Sequence, residues 1–175
     1  MKQHLQGWSL LEMLTVIALM GSVFIFAWPH LQHWRTQWQL RSISHQIQST
    51  LHSARQEALI SGAIVTLCVL DTNAQCASQW HQGPLTVFRD PHNERQLSAH
   101  TRVMTHLDLP YPMHLSRHPS MMPWLQFSSN GTPRGATGGH IRLCLDASQP
   151  EAVRFIIAAG GRSRLAFNQG EMCGR

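Results

Sequence analysis

Residues 8–28 read Trp8-Ser-Leu-Leu-Glu-Met-Leu-Thr-Val-Ile-Ala-Leu-Met-Gly-Ser-Val-Phe-Ile-Phe-Ala-Trp28, preceded by Met1-Lys-Gln-His-Leu-Gln-Gly7 and followed at once by Pro29. A polar leader ends at Gly7, and an almost unbroken apolar segment follows. From Leu10 to Trp28 it has about the ~20 residues that a helix needs to cross ~30 Å of hydrocarbon. One carboxylate, Glu12, sits inside it. A charge at such a position costs roughly 2.5–3.5 kcal/mol, so Glu12 needs a cationic partner. The amine freed by cutting the chain after Gly7 would supply one. A secretory signal would want a basic leader and a small-residue cleavage site after its apolar core. Only Lys2 is charged here, and no A-x-A site follows Phe26. A plain single-pass anchor would leave both Glu12 and the Gly7 junction without a role.

Outward from this segment, the pattern stays helical but changes character. Pro29 removes one backbone donor and is expected to kink the helix rather than end it. Beyond it, Leu40, Ile43, Ile47, Leu51, Ala54 and Ala58 keep an i, i+3/i+4 stripe, with Gln, Ser, His and Arg on the other face. Ser61-Gly62 supplies a stop signal. One helix of two halves is therefore expected from Trp8 to about Ile60, roughly 80 Å at 1.5 Å per residue. Trp28, Trp34 and Trp38 cluster where it would leave a bilayer, as an interfacial aromatic belt does.

After Gly62 the runs become short and β-like: 63–70, 85–88, about 102–107, 125–127, 141–145, 153–158 and 162–167. Pro91-His92-Asn93, Ser129-Asn130-Gly131, Gly138-Gly139 and Gly160-Gly161 separate them with turn chemistry. The proline-rich stretch 109–123 reads as a loop. The fold class expected is α+β, a long N-terminal helix packed on an antiparallel β-sheet domain. The last two runs flank Gly160-Gly161 as a hairpin. Val153, Phe155 and Ile157 share one strand face, and Ser163, Leu165 and Phe167 share another. Burying both sets together requires same-parity pairing, as a three-residue loop at 159–161 provides. That register gathers Arg154, Arg162 and Arg164 on the outer face, where a one-residue slip would drive them into the core.

The chain of 175 residues carries 14 Lys+Arg against 9 Asp+Glu, a net charge of +5 with His neutral. Lys2 is its only lysine, so the basic character is arginine, whose planar fork pairs phosphate bidentately. Loss of the leader would remove Lys2 and leave 5 − 1 = +4 on the side chains. The four cysteines, Cys68, Cys76, Cys144 and Cys173, all lie beyond the apolar segment. An even count there suggests disulfides in an oxidising compartment. Three pairings are possible, and the one close in sequence, Cys68 with Cys76 and Cys144 with Cys173, is expected. Those bonds would be worth roughly 2.5 and 3.5 kcal/mol on the chain-entropy account. Paired C-x-x-C spacing is lacking, so no zinc site is expected. Of the twelve histidines, His30/His33 and His114/His118 are closely spaced, but neither pair has the Glu of an H-E-x-x-H motif. Such surface histidines add positive charge below about pH 6.5. No P-loop, nucleophile elbow or G-x-G-x-x-G fingerprint is present, so neither an enzyme nor a cofactor is expected.

The Gly7-Trp8-Ser9-Leu10-Leu11-Glu12 junction resembles the processing motif of type IV pilins and the pseudopilins of type II secretion, with Trp8 in place of the usual Phe. The resemblance implies cleavage after Gly7 by a prepilin peptidase, methylation of the new N-terminus at Trp8, and a role for Glu12 in assembly. It divides the chain into a leader (1–7), a transmembrane and assembly part of the helix (8–28), its amphipathic part (29–61), and a periplasmic β-rich domain (62–175). Location follows: a single-pass bacterial inner-membrane subunit that later enters a pilus or pseudopilus with other pilins.

Ala54, Arg55, Glu57, Ala58, Gly62, Val65, Thr66, Leu67 and Cys68 narrow the likeness to the GspH/FimT branch of minor pilins. Cys76, Trp80, Gly83, Val87, Phe88, Asp90, Phe127, Gly131, Leu143 and Cys144 extend it. Gly161-Arg162-Ser163-Arg164 looks like the Gly-Arg-x-Arg motif of FimT-type pilins, which implies non-specific DNA binding in natural transformation. Arg162 and Arg164 would clamp phosphates without reading bases, with Arg154 secondary and Gly161 shaping the turn; Arg134 and Arg142 would widen the patch. The alternative within the same branch is a GspH-like minor pseudopilin of the type II secretion system.

Overall fold

A computed structural model describes residues 10–78, 80, 83–98, 101–110, 113–118, 122–135, 139–144 and 151–169. The expected leader, Gly7, Trp8 and Cys173 lie outside the described residues. Helix α1 (Leu10–Ser61) runs through position 29 without a break. It ends where the sequence signals: Gly62 N–H bonds Ala58 O at 3.1 Å, and Ser61 Oγ donates to Glu57 O at 2.6 Å.

By contact density the chain divides into residues 1–39 and 40–175. In the first unit, apolar side chains are bare: Leu10 is 79%, Ile17 67% and Phe24 69% exposed. Glu12 is exposed in the first described turn, and Trp34 and Trp38 meet edge to face at 5.5 Å. Among the described residues, no helix is long and apolar enough to cross a membrane.

The second unit holds every buried core residue, from Leu40 to Ile157. Its helical part buries Leu40, Ile47, Leu51, Ala54 and Ala58, and half-buries Ile43, which together are the stripe anticipated from periodicity. Each fully buried Leu or Ile contributes about 1.5–3 kcal/mol. Ala54 and Ala58 are fully buried as well.

Among the described residues, eight strands complete the unit: β1 (Val65–Val69), β2 (Leu85–Arg89), β3 (Val103–Leu107), β4 (His114–His118), β5 (Trp124–Phe127), β6 (Gly139–Cys144), β7 (Glu151–Ile157) and β8 (Ser163–Gln169). Instead of one sheet they form two, ordered β3-β2-β1-β5 and β4-β6-β7-β8, with every pairing antiparallel. β1 is central and buried along its whole length. Beside it a polar knot is closed: Thr66 Oγ1 donates to Asp90 Oδ2 at 2.8 Å, and Gln126 Nε2 donates to Thr66 Oγ1 at 3.0 Å. Asp90 also accepts the Glu94 and Arg95 amides at 2.7 and 3.0 Å, which offsets the cost of burying its carboxylate.

The stretch read as a loop, 109–123, contains β4, which pairs with β6 over His114–His118. Only Leu115 gives that strand a fully buried aliphatic. Two positions on, Arg117 falls on the same core-facing side by alternation, which hides the strand's period. Burial pushes the Arg117 guanidinium down to about 10. Its Nη1 donates to Met122 O at 2.7 Å, while its buried Nε has no partner among the described residues.

Cys68 and Cys76 are bonded to each other. Cys144 is also held in a disulfide, and its expected partner Cys173 is outside the described residues.

Candidate nucleic-acid interface

The β7–β8 hairpin pairs Val153 with Phe167, Phe155 with Leu165 and Ile157 with Ser163, the same-parity register anticipated above. Its three-residue turn closes with Ala158 N–H on Arg162 O at 2.9 Å and Gly161 N–H on Ala158 O at 2.8 Å. Val153, Phe155 and Ile157 are buried. Phe167 departs from expectation: it is 58% exposed, near the end of the edge strand, where no further strand covers it.

Alternation then fixes the opposite face. Arg154 stands opposite Arg142 of β6 on one side and Ala166 of β8 on the other. Arg164 is the diagonal neighbour of Arg154, about 7–8 Å away. Arg162 lies at the turn, roughly 13 Å along the strand from the Arg154 level at ~3.3 Å per residue. Arg162 and Arg164 are exposed and Arg154 half-buried. The structure thus brings Arg154 and Arg164 together, with Arg162 beyond them at the tip. Two histidines extend the face: His118 and His140 stack with ring centroids 5.1 Å apart, and Arg142 Nε donates to His140 Nε2 at 3.2 Å. No carboxylate occupies an outer position of these four strands among the described residues. His118 is the surface histidine expected from the sequence, but its place beside His140 on this face depends on β4, whose period is masked.

The turn is anchored from behind by the helix. Arg55 Nε donates to Gly131 O at 3.0 Å, and its Nη2 donates to Gly160 O at 3.2 Å. Gly161 has φ +79°, and a Cβ there would stand 2.0 Å from Gly131 O and 2.8 Å from Arg55 Nε. Only glycine fits where two turns and an arginine converge. Two residues along the helix, Glu57 pairs with Arg89 of β2. The Ala-Arg-x-Glu-Ala run therefore seats the helix on both sheets: the alanines allow contact, Arg55 holds the hairpin and Glu57 holds β2.

Residues 44–161 match the family described as Type II transport protein GspH. The chain belongs to the GspH family. The match spans most of the second unit and ends at Gly161, so Arg162 and Arg164 stand just beyond it. Two solved structures share the fold of this GspH-family chain at low identity. The type IV minor pilin FimU of Pseudomonas aeruginosa superposes with a TM-score of 0.58 at 18% identity, covering 75% of this chain and 98% of FimU. The minor pseudopilin EpsH from the type 2 secretion system of Vibrio cholerae gives 0.52 at 18% identity, covering 74% and 97%. No curated protein matches in sequence.

Proposed function

We propose that this GspH-family chain is a minor type IV pilin of the FimT kind, which enters a pilus and binds DNA non-specifically for uptake. One observation carries the DNA reading: the exposed Arg162 and Arg164 project from a hairpin in a sheet whose outer face holds arginine and histidine but, among the described residues, no acid. Guanidinium forks on such a face contact phosphates and ignore base identity. A few contacts give weak affinity, on the order of 10⁻⁴–10⁻⁶ M, which many subunits on one long DNA would raise by avidity. Assembly follows the reading of the N-terminus: a peptidase cuts between Gly7 and Trp8, and Glu12 neutralises the freed amine of a neighbouring subunit. The bare side chains of Leu10, Leu14, Ile17, Met20 and Phe24 support a membrane or filament environment for that half of the helix.

A second reading has its own support in the family description and in EpsH. In it the chain is a minor pseudopilin, and its partners are other pseudopilins. The two separate in cells of the organism that encodes it. Arg162→Ala with Arg164→Ala is expected to leave subunit incorporation intact while lowering DNA uptake on the order of tenfold, about 1.4 kcal/mol of lost contact. Normal uptake in that variant, with a secretion defect on deleting the chain, would favour the pseudopilin instead.

A further inference from the structure

Between α1 and the β7–β8 turn lies an open groove of about 500 Å³. His45, Gln48, Ser49, His52 and Arg55 line it from the helix, and Gly161, Arg162 and Ser163 line it from the turn. The helical positions follow i, i+3, i+4, i+7 and i+10, one face of the helix beside the buried stripe. They extend about 15 Å along the axis, the rise of roughly four phosphates on one DNA strand.

The chemistry of the lining is one-sided. It offers two guanidinium-bearing residues, two imidazoles, two hydroxyls and an amide, and it contains no carboxylate. His45, Ser49, His52 and Arg162 are exposed, whereas Arg55 is committed to Gly131 O and Gly160 O and so forms a cationic floor. Gln48 Nε2 donates to Ser163 O at 2.9 Å, which fixes the amide against β8. Its buried Oε1 accepts nothing among the described residues. Arg162 belongs to this lining and to the hairpin tip alike.

We infer that this groove is a phosphodiester subsite, in which the backbone of a nucleic-acid strand runs from Arg164 past Arg162 and along His45, Ser49 and His52 of the helix. The inference rests on the DNA reading above and extends it from the sheet face to the helix. It makes the hairpin tip a bridge between two surfaces instead of an isolated clamp. An acidic segment of a neighbouring subunit is the competing occupant.

The experiment uses the full chain in non-ionic detergent, a fluorescein-labelled 30-base-pair duplex and anisotropy at low salt. Ser49→Glu places a carboxylate in the groove, and Ser49→Gln adds similar bulk without charge. The Glu variant is expected to bind on the order of tenfold more weakly, since a carboxylate on the path repels the phosphates. The Gln variant, which adds bulk without charge, should lose clearly less than the Glu variant. The same loss should appear when Ser49→Glu is made on an Arg162→Ala background, where a new ion pair with Arg162 is impossible. If the parent binds and Arg164→Ala weakens it, but Ser49→Glu does not, the groove is not on the DNA path and this inference fails alone. Equal weakening by the Glu and Gln variants would also overturn it, because bulk and not charge would then matter. A parent chain that binds no duplex at low salt defeats the DNA reading and the groove together.

Discussion

Gly161→Ala concentrates the structural argument in one methyl group. At φ +79° an alanine is strained by about 1–3 kcal/mol. Its Cβ would also meet Gly131 O at 2.0 Å and Arg55 Nε at 2.8 Å, and the first of these is backbone that cannot swing aside. Relief requires the hairpin turn to back away from the helix. That movement forfeits the Arg55 bonds to Gly131 O and Gly160 O, and hydrogen bonds to a charged group are worth about 1.5–3 kcal/mol each. By either route the loss is about 3 kcal/mol, or roughly 6–12 °C in melting midpoint for a chain of this size. The assay is thermal unfolding of the detergent-solubilised chain, followed by tryptophan fluorescence, because Trp80 is buried in the second unit and Trp124 partly so. Gly160→Ala is the matched control: a Cβ there meets nothing within 4 Å, so its midpoint should stay close to the parent. Equal midpoints for the two alanine variants would refute the packing of the turn against Arg55 and Gly131.

Arg55→Ala should destabilise the second unit by about 3 kcal/mol through the same two carbonyls, and combining it with Gly161→Ala should cost less than the sum, which a double-mutant cycle reads directly. Cys68→Ala with Cys76→Ala opens a loop of sequence separation 8 and is expected to cost about 2.5 kcal/mol in a urea titration; an unchanged midpoint would contradict that. Arg117→Met should leave stability at pH 7 unchanged or raise it by about 1 kcal/mol. The sign follows from its lowered value of about 10: the unfolded chain accepts the Arg117 charge more readily than the folded one, so that charge opposes folding at every pH below about 10. A clear fall in the Arg117→Met midpoint would mean that the guanidinium contributes more to folding than its burial costs.

Local signals made much of this fold legible. The 3.6-residue stripe from Leu40 to Ala58 marked the buried helix face, and Ser61-Gly62 marked its end. The parity of Val153, Phe155 and Ile157 against Ser163, Leu165 and Phe167 marked the hairpin register, although Phe167 itself stays exposed. Long-range features were less accessible. β4 carries one buried aliphatic and an arginine on the same side, so its period is masked, and its pairing with β6 spans a proline-rich segment. The division into two sheets depends on which edges meet, which alternation within single strands does not encode. Of the candidate site, the arginines were visible as a motif. The groove was not, because His45, Ser49 and His52 look like an ordinary solvated helix face until the turn at Gly161 is set beside them. Arg55 likewise read as part of a family run, and its hold on Gly131 O and Gly160 O needs residues more than seventy positions away.

The salt dependence of DNA binding probes the phosphate-contact claim itself. Association of the full chain with a labelled duplex should weaken linearly on a log–log plot against salt, each phosphate contact adding about 0.9 to the slope. Replacing Arg162 and Arg164 together with alanine should flatten that slope by about 1.8 and weaken binding equally on unrelated sequences. An unaltered slope and affinity in the double variant would contradict the account at its centre.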